Sequence, residues 1–73
     1  MIKEVELSIC SKLKDEPIIY NIIKKFNVVP NIIEASFSTD VGWALIKFQG
    51  ESQELERLFN YLSNKEGIDI KYR

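Results

Sequence analysis

Asn31 is the side chain best suited to chemistry in this chain. It stands at the join between an amphipathic stretch and an alternating, β-branched run, in Phe26-Asn27-Val28-Val29-Pro30-Asn31-Ile32-Ile33. A primary amide both donates and accepts hydrogen bonds. At such a join it can reach a ligand, or it can close the turn after Pro30. Glu4, Glu6 and Glu34 are the carboxylates that a folded sheet could bring together for acid–base work. Charge-rich faces are ordinarily solvated, however, and no nucleophile with a matching base accompanies them. The chain has no histidine, which removes the commonest general base and metal ligand. Cys10 is the single cysteine, so a disulfide within the chain and a CxxC redox or metal motif are excluded. We expect Cys10 to be a buried strand residue. No metal site, cofactor or catalytic residue is expected.

The elements that position Asn31 follow from periodicity. Val5, Leu7 and Ile9 alternate with Glu4, Glu6 and Ser8, which predicts a strand over Lys3 to Cys10 with one buried face. Asp15-Glu16-Pro17 opens a helix, with proline at the first helical position and acidic side chains at the positive pole. Ile19, Ile22, Ile23 and Phe26 then make one apolar stripe. Lys24 and Lys25 suit the helix end, and Pro30 forbids its continuation. From Asn31 to Ser38 the period returns to two, with Ile33, Ala35 and Phe37 on one side and Ile32, Glu34, Ser36 and Ser38 on the other. Thr39 to Gly42 reads as a turn, and Trp43 to Gln49 as a third strand with Ala44, Ile46 and Phe48 inward. The two runs should form a hairpin. Gly50-Glu51-Ser52 ends it, with Ser52 as N-cap. Leu55, Leu58, Phe59 and Leu62 form a second helical stripe, Gly67 a left-handed C-terminal cap. Ile68, Ile70 and Tyr72 mark a fourth strand.

Strand, helix, strand, strand, helix, strand is the order of a split βαβ sandwich. The predicted architecture is α+β and ferredoxin-like: a four-stranded antiparallel sheet with both helices on one face, in a single domain over residues 1–73. The second strand falls at a sheet edge, where unpaired backbone groups invite another chain. The strand phases place Ile32, Trp43 and Leu45 among the otherwise polar side chains of the helix-free face. Large apolar groups there call for a cover, either a terminus or neighbouring loop of the chain itself, or an interface or ligand wall including Ile32, Glu34, Ser36, Trp43 and Leu45.

Composition narrows the function classes. Ten basic and eleven acidic side chains give a net charge of −1, without the pull toward nucleic acid or anionic lipid of a basic chain. Apolar residues at 45% and charged ones at 29% fit a soluble globular domain. No apolar run approaches the roughly 18 residues that span a bilayer, and no signal-peptide pattern opens the chain, so a cytoplasmic location without membrane insertion is expected. Val41 to Phe48 resembles in outline the third-strand motif of RNA-recognition motifs, which share this topology. Val41 stands where that motif begins with a basic residue, and Leu45 replaces its second stacking aromatic. Glu6 would face the bases from the first strand. RNA binding is therefore disfavoured.

Asn31-Ile32-Ile33, with Asp15-Glu16-Pro17-Ile18-Ile19 before it and Gly42-Trp43-Ala44-Leu45-Ile46 after it, resembles the NIL domain, named for its Asn-Ile-Leu signature. The likeness runs from about Val5 to Tyr72, with Ile33 in place of the signature leucine. That family occurs at the C-terminus of methionine-import ABC transporter ATPases, in some ferredoxins and as free-standing proteins. The short run before Val5 favours the free-standing form, and the chain lacks the Gly-x-x-x-x-Gly-Lys-Ser/Thr phosphate loop of a transport motor. The resemblance implies the same fold, pairing of two domains, and an amino acid, methionine, bound where they meet. It further implies Asn31 as a ligand contact, with Ile32 and Ile33 as adjoining wall. A zwitterion needs donors and acceptors, and a thioether needs an apolar slot. ACT domains, which also sense amino acids on this architecture, rely on a glycine in the loop after the first strand. Ser11-Lys12-Leu13-Lys14 has none. The expectation is a non-catalytic regulatory homodimer tied to an ABC transporter subunit; the alternative is a dimerisation or protein-interaction module without ligand.

Overall fold

A computed structural model of the chain describes residues 1–13 and 15–73. The elements run β1 (Ile2–Cys10), a 3-10 turn (Ser11–Leu13), α1 (Ile18–Lys25), β2 (Val29–Phe37), β3 (Val41–Gln49), α2 (Ser52–Asn64) and β4 (Ile68–Tyr72). The described strands form one antiparallel sheet in the order β2-β3-β1-β4. This is the ferredoxin-like arrangement, with β2 at one edge as its place in the chain predicts. The glycine-free connection after β1 begins as the 3-10 turn; Lys14, its last residue, lies outside the described residues.

Alternation in the strands selects the core. Val5, Leu7 and Ile9 of β1 and Ala44, Ile46 and Phe48 of β3 all turn to the same side. There they meet Ile18 and Ile22 of α1 and Leu55, Leu58 and Leu62 of α2 in a single cluster. Both helices therefore cover one face. An aromatic ladder binds three elements together: Phe48 lies edge-on to Phe59 of α2 at 6.1 Å, and Phe59 edge-on to Tyr72 of β4 at 5.4 Å.

Several boundaries differ from the sequence reading by one or two residues. Pro17 is the cap rather than the first helical residue, and Ser52 follows the cap Glu51 instead of serving as it. Neither cap makes a side-chain hydrogen bond. β2 begins at Val29 and β3 at Val41, which leaves Ser38, Thr39 and Asp40 between the strands. The Ser38 Oγ accepts the Asp40 and Val41 N–H groups at 3.2 Å and so closes this turn. Gly67 adopts φ +98, in the left-handed region, just before β4, and its carbonyl accepts the Cys10 N–H at 2.9 Å. Cys10 is half-buried at the end of β1 rather than enclosed.

The inward line of α1 is rotated from the predicted stripe. Ile18, Ile22 and Phe26 are buried and Ile19 partly so, while Ile23 is 52% exposed. The cause lies on the helix's other flank. Lys25 reaches over the Tyr61 ring of α2 at 4.7 Å, and Phe26 packs on the same ring at 5.4 Å. This pairing turns one side of α1 toward α2. Tyr20 and Ile23, which take no part in that contact, are left exposed.

Candidate functional site

The hydrogen-bonding phase of β3 decides which backbone groups of β2 are free. Antiparallel strands alternate between bonded and non-bonded residue pairs. The Ser38 N–H donates to the Val41 carbonyl at 2.9 Å, and on the other side the Gly50 N–H donates to the Met1 carbonyl at 3.0 Å. Odd-numbered β3 residues thus bond toward β2 and even-numbered ones toward β1. Along β2, Ile32, Ala35 and Phe37 stand opposite even-numbered partners, Ile46, Ala44 and Gly42. Their backbone N–H and C=O groups point away from the sheet. Pro30, opposite Phe48, also holds an outward position, so its missing N–H leaves the sheet intact.

A bulge interrupts the ladder at Ile33. The register steps from Ile32↔Ile46 to Glu34↔Leu45, and Ile33 is left without a counterpart. The extra residue breaks the period of two on which the sequence reading relied. Ile32 was expected on the helix-free face with Glu34; it shares the helix-side face of Ile46 instead, because directly opposed residues point to the same side. Ile33 was expected inward and is 46% exposed at the bulge. Ala35 and Phe37 keep the helix-side phase predicted for them, yet both are exposed, since α1 does not extend over the edge.

Asn31 lies within β2, opposite Lys47 and exposed on the helix-free face. It does not close a turn, because the chain reverses earlier, between Phe26 and Val28. There the Asn27 N–H donates to Glu54 Oε2 of α2 at 2.7 Å. That bond, first, and the Arg57 guanidinium, second, hold the Glu54 carboxyl below its ordinary value. Asn31 and Ile32 are thus neighbours in sequence on opposite faces of the edge strand.

The helix-free face is more self-contained than expected. Glu34 and Ser36 are exposed along the edge, opposite Leu45 and Trp43 respectively. Leu45, flanked by Glu34 and Glu6, keeps only 8% exposure and has little area to offer. Trp43 is half-buried. Its indole N–H donates to Glu6 Oε1 at 3.1 Å, while Arg73 Nε donates to Glu6 Oε2 at 3.1 Å. The Arg73 bond and then the Trp43 bond keep Glu6 below the usual carboxylate value, the reverse of what a general acid requires. Glu4 also pairs with Arg73, at 3.6 Å. These carboxylates stand where an RNA-binding sheet would offer stacking and phosphate contacts. Among the described residues no three His, Cys, Asp or Glu side chains gather as a metal site. No helix among them is long and apolar enough to cross a membrane.

At the far end of β2 the helix-side face opens into a cleft of about 470 Å³. Phe37, Ile19, Tyr20 and Leu13 supply apolar walls, and Ser38 and Asp40 stand at its rim. Gly42 makes room for it. A Cβ there would meet the Phe37 ring at 2.5 Å, so glycine lets that ring lie flat across β3. Sequence reasoning missed this cleft. Gly42, read from the sequence as the end of the turn, lies inside β3, where strand glycines often mark a close approach.

Comparison with known proteins follows the same lines. The family model described as the NIL domain matches residues 3–71. A methionine import ATP-binding protein MetN from Helicobacter pylori is 34% identical over 61 residues, covering 78% of this chain and 18% of that protein. Its counterpart in Helicobacter acinonychis is 33% identical with the same coverage. The chain therefore spans less than a fifth of the length of these curated relatives. Among solved structures, the C-terminal domain of an ABC transporter/ATP-binding protein from Enterococcus faecalis superposes with a TM-score of 0.79 at 22% identity. It covers 96% of this chain and 81% of that one, a likeness of fold.

Proposed function

This chain belongs to the NIL-domain family, and from that membership we propose that it is a non-catalytic regulatory module of ABC-type methionine import. In this reading it acts on the cytoplasmic side, pairs with a second copy through β2, and binds an amino acid, methionine, at the seam. Occupancy of such a seam changes how two subunits sit together. A module attached to or associated with a transport ATPase would report amino-acid supply in that way.

The observation that carries this reading is the edge itself. Ile32, Ala35 and Phe37 offer unpaired backbone groups to another strand, with exposed apolar side chains beside them. Antiparallel pairing with a second copy runs the start of one β2 along the end of the other. The partner's Asn31 is thereby brought to the Phe37 end of the seam, on the helix-free face, whereas the cleft opens there on the helix side. The amide therefore serves a ligand lying along the helix-free side of the seam rather than one inside the cleft. The amide supplies donor and acceptor to the zwitterion. Ile33, exposed at the bulge close to Asn31, offers apolar surface to a thioether.

Calorimetric titration with L-methionine tests the assignment. Wild-type protein should release or absorb heat that saturates, and Asn31→Ala should weaken binding at least tenfold while remaining folded, since residue 31 is exposed. A dimer giving no heat with methionine would favour the second reading, a dimerisation module without ligand.

A further inference from the structure

We infer that the cleft beside the β2–β3 turn is a second ligand site, one that takes small organic amines: a protonated amino group on a compact apolar body, without a carboxylate. The inference goes beyond the proposed amino-acid site, because the cleft opens on the helix side of the sheet and Asn31 lies on the helix-free side. Space, walls and charge lead to it.

Three segments enclose the space. The 3-10 turn contributes Leu13, α1 contributes Ile19 and Tyr20, and the end of β2 contributes Phe37. The volume of about 470 Å³ falls within the roughly 300–1,000 Å³ of small-molecule sites. Two contacts fix the shape at the hairpin. The Phe37 ring lies so close over Gly42 that a Cβ there would meet it at 2.5 Å. The Ser38 Oγ accepts the Asp40 and Val41 N–H groups and so anchors the turn that carries Asp40.

The walls suit an apolar body that bears a cation. Tyr20 and Phe37 keep 58% and 61% of their surface exposed. Aromatic rings of this kind gain from burying apolar groups, and the negative faces of the rings attract ammonium ions.

Charge decides the head group. Glu16 and Asp40 both line the cleft, and no lysine or arginine is found among its described lining residues. Glu16 is answered within the fold by Lys65, whose Nζ lies 2.9 Å from its Oε2. Asp40 forms no ion pair among the described residues. The charge left over at the rim is therefore negative. A cleft lined by one sign of charge concentrates the opposite sign. A protonated amine answers Asp40, whereas a carboxylate is repelled by it. That separates this site from one built to hold a zwitterion.

Titration of isotope-labelled protein with phenethylamine, followed through its amide chemical shifts, tests the inference. Saturable shifts should centre on Ile19, Tyr20, Phe37 and Gly42. Asp40→Asn should weaken binding about threefold, the size of one solvent-exposed ion pair, and should stay folded because residue 40 is exposed. Phenylpropanoate, with the same ring and the opposite charge, should bind more weakly than the amine by a larger factor. Asn31→Ala should leave the phenethylamine titration unchanged, so the amino-acid site and this one stand or fall separately. Equal affinity for the amine and the anion, or an Asp40→Asn protein that binds like the wild type, overturns the choice of an amine. Shifts that do not saturate, or that gather around Asn31, overturn the site.

Discussion

Replacing Ala35 by proline is expected to turn the proposed dimer into a folded monomer. Ala35 holds an outward position on β2, so its N–H is not used by the chain's own sheet. Proline is tolerated at such edge positions, and the fold should persist. In the dimer the same substitution removes one donor from each copy and places a ring between the strands. Two lost hydrogen bonds at about 1 kcal/mol each amount to roughly thirtyfold in affinity before any steric cost. Size-exclusion chromatography with light scattering would register the loss. Proline at Ser36, whose backbone bonds to β3, should instead damage the sheet. The contrast between adjacent positions separates pairing at the edge from a general effect of proline. Ala35→Pro that remains dimeric would place the contact elsewhere.

The largest effect on stability is expected at Phe48. Its side chain is fully buried on β3, packed edge-on to Phe59, which in turn meets Tyr72. Truncating a buried phenylalanine to alanine costs about 3–5 kcal/mol, through lost transfer energy and the cavity left behind. A chain of 73 residues has a total of only about 4–11 kcal/mol to lose. Phe48→Ala should therefore forfeit from about a quarter to all of the stability, with a midpoint in urea shifted far downward. Phe48→Leu should recover most of the loss, because it refills much of the volume. In the proposed dimer, pairing through β2 would add to the measured stability by mass action, so the comparison belongs at one protein concentration. Equal midpoints for Phe48→Ala and wild type would mean that the ladder does not anchor α2 to the sheet.

The difference between these two residues also marks how far the sequence could be read. Phe48 was legible: strict alternation from Ala44 to Phe48, flanked by Lys47 and Gln49, has one solution for a strand packed under helices. The same regularity revealed β1, the hairpin, both helices and the edge position of β2. Ile32 was not legible, because a single extra residue at Ile33 inverts the phase of everything before it, and a bulge leaves no mark in a run of β-branched side chains. Trp43 and Leu45 were placed on the correct face, but their exposure depends on neighbours across two strands, Glu6 and Glu34, whose reach periodicity does not contain. Ile23 fits a perfect helical stripe and still lies outside the core, since α1 is held at an angle by Lys25 and Phe26 against Tyr61. The cleft at Phe37 combines the 3-10 turn, α1 and the hairpin, three segments brought together only by the closed fold.

Asn31 remains the residue where sequence and geometry combine most usefully. The family signature singles it out, and the fold leaves it exposed at the beginning of an open edge. On this account it meets the ligand at the seam where a second copy adds its own β2. Pairing of β2 is thus prior to binding, and everything regulatory depends on it.

Amide hydrogen exchange followed at increasing protein concentration tests that pairing most directly. In dilute solution the Glu34 and Ser36 amides, bonded to β3, should exchange slowly, and those of Ile32, Ala35 and Phe37 quickly. As the concentration rises, the account predicts that the second set becomes protected while the first changes little. Outward amides that exchange fast at every concentration, beside an intact β2–β3 ladder, would contradict it.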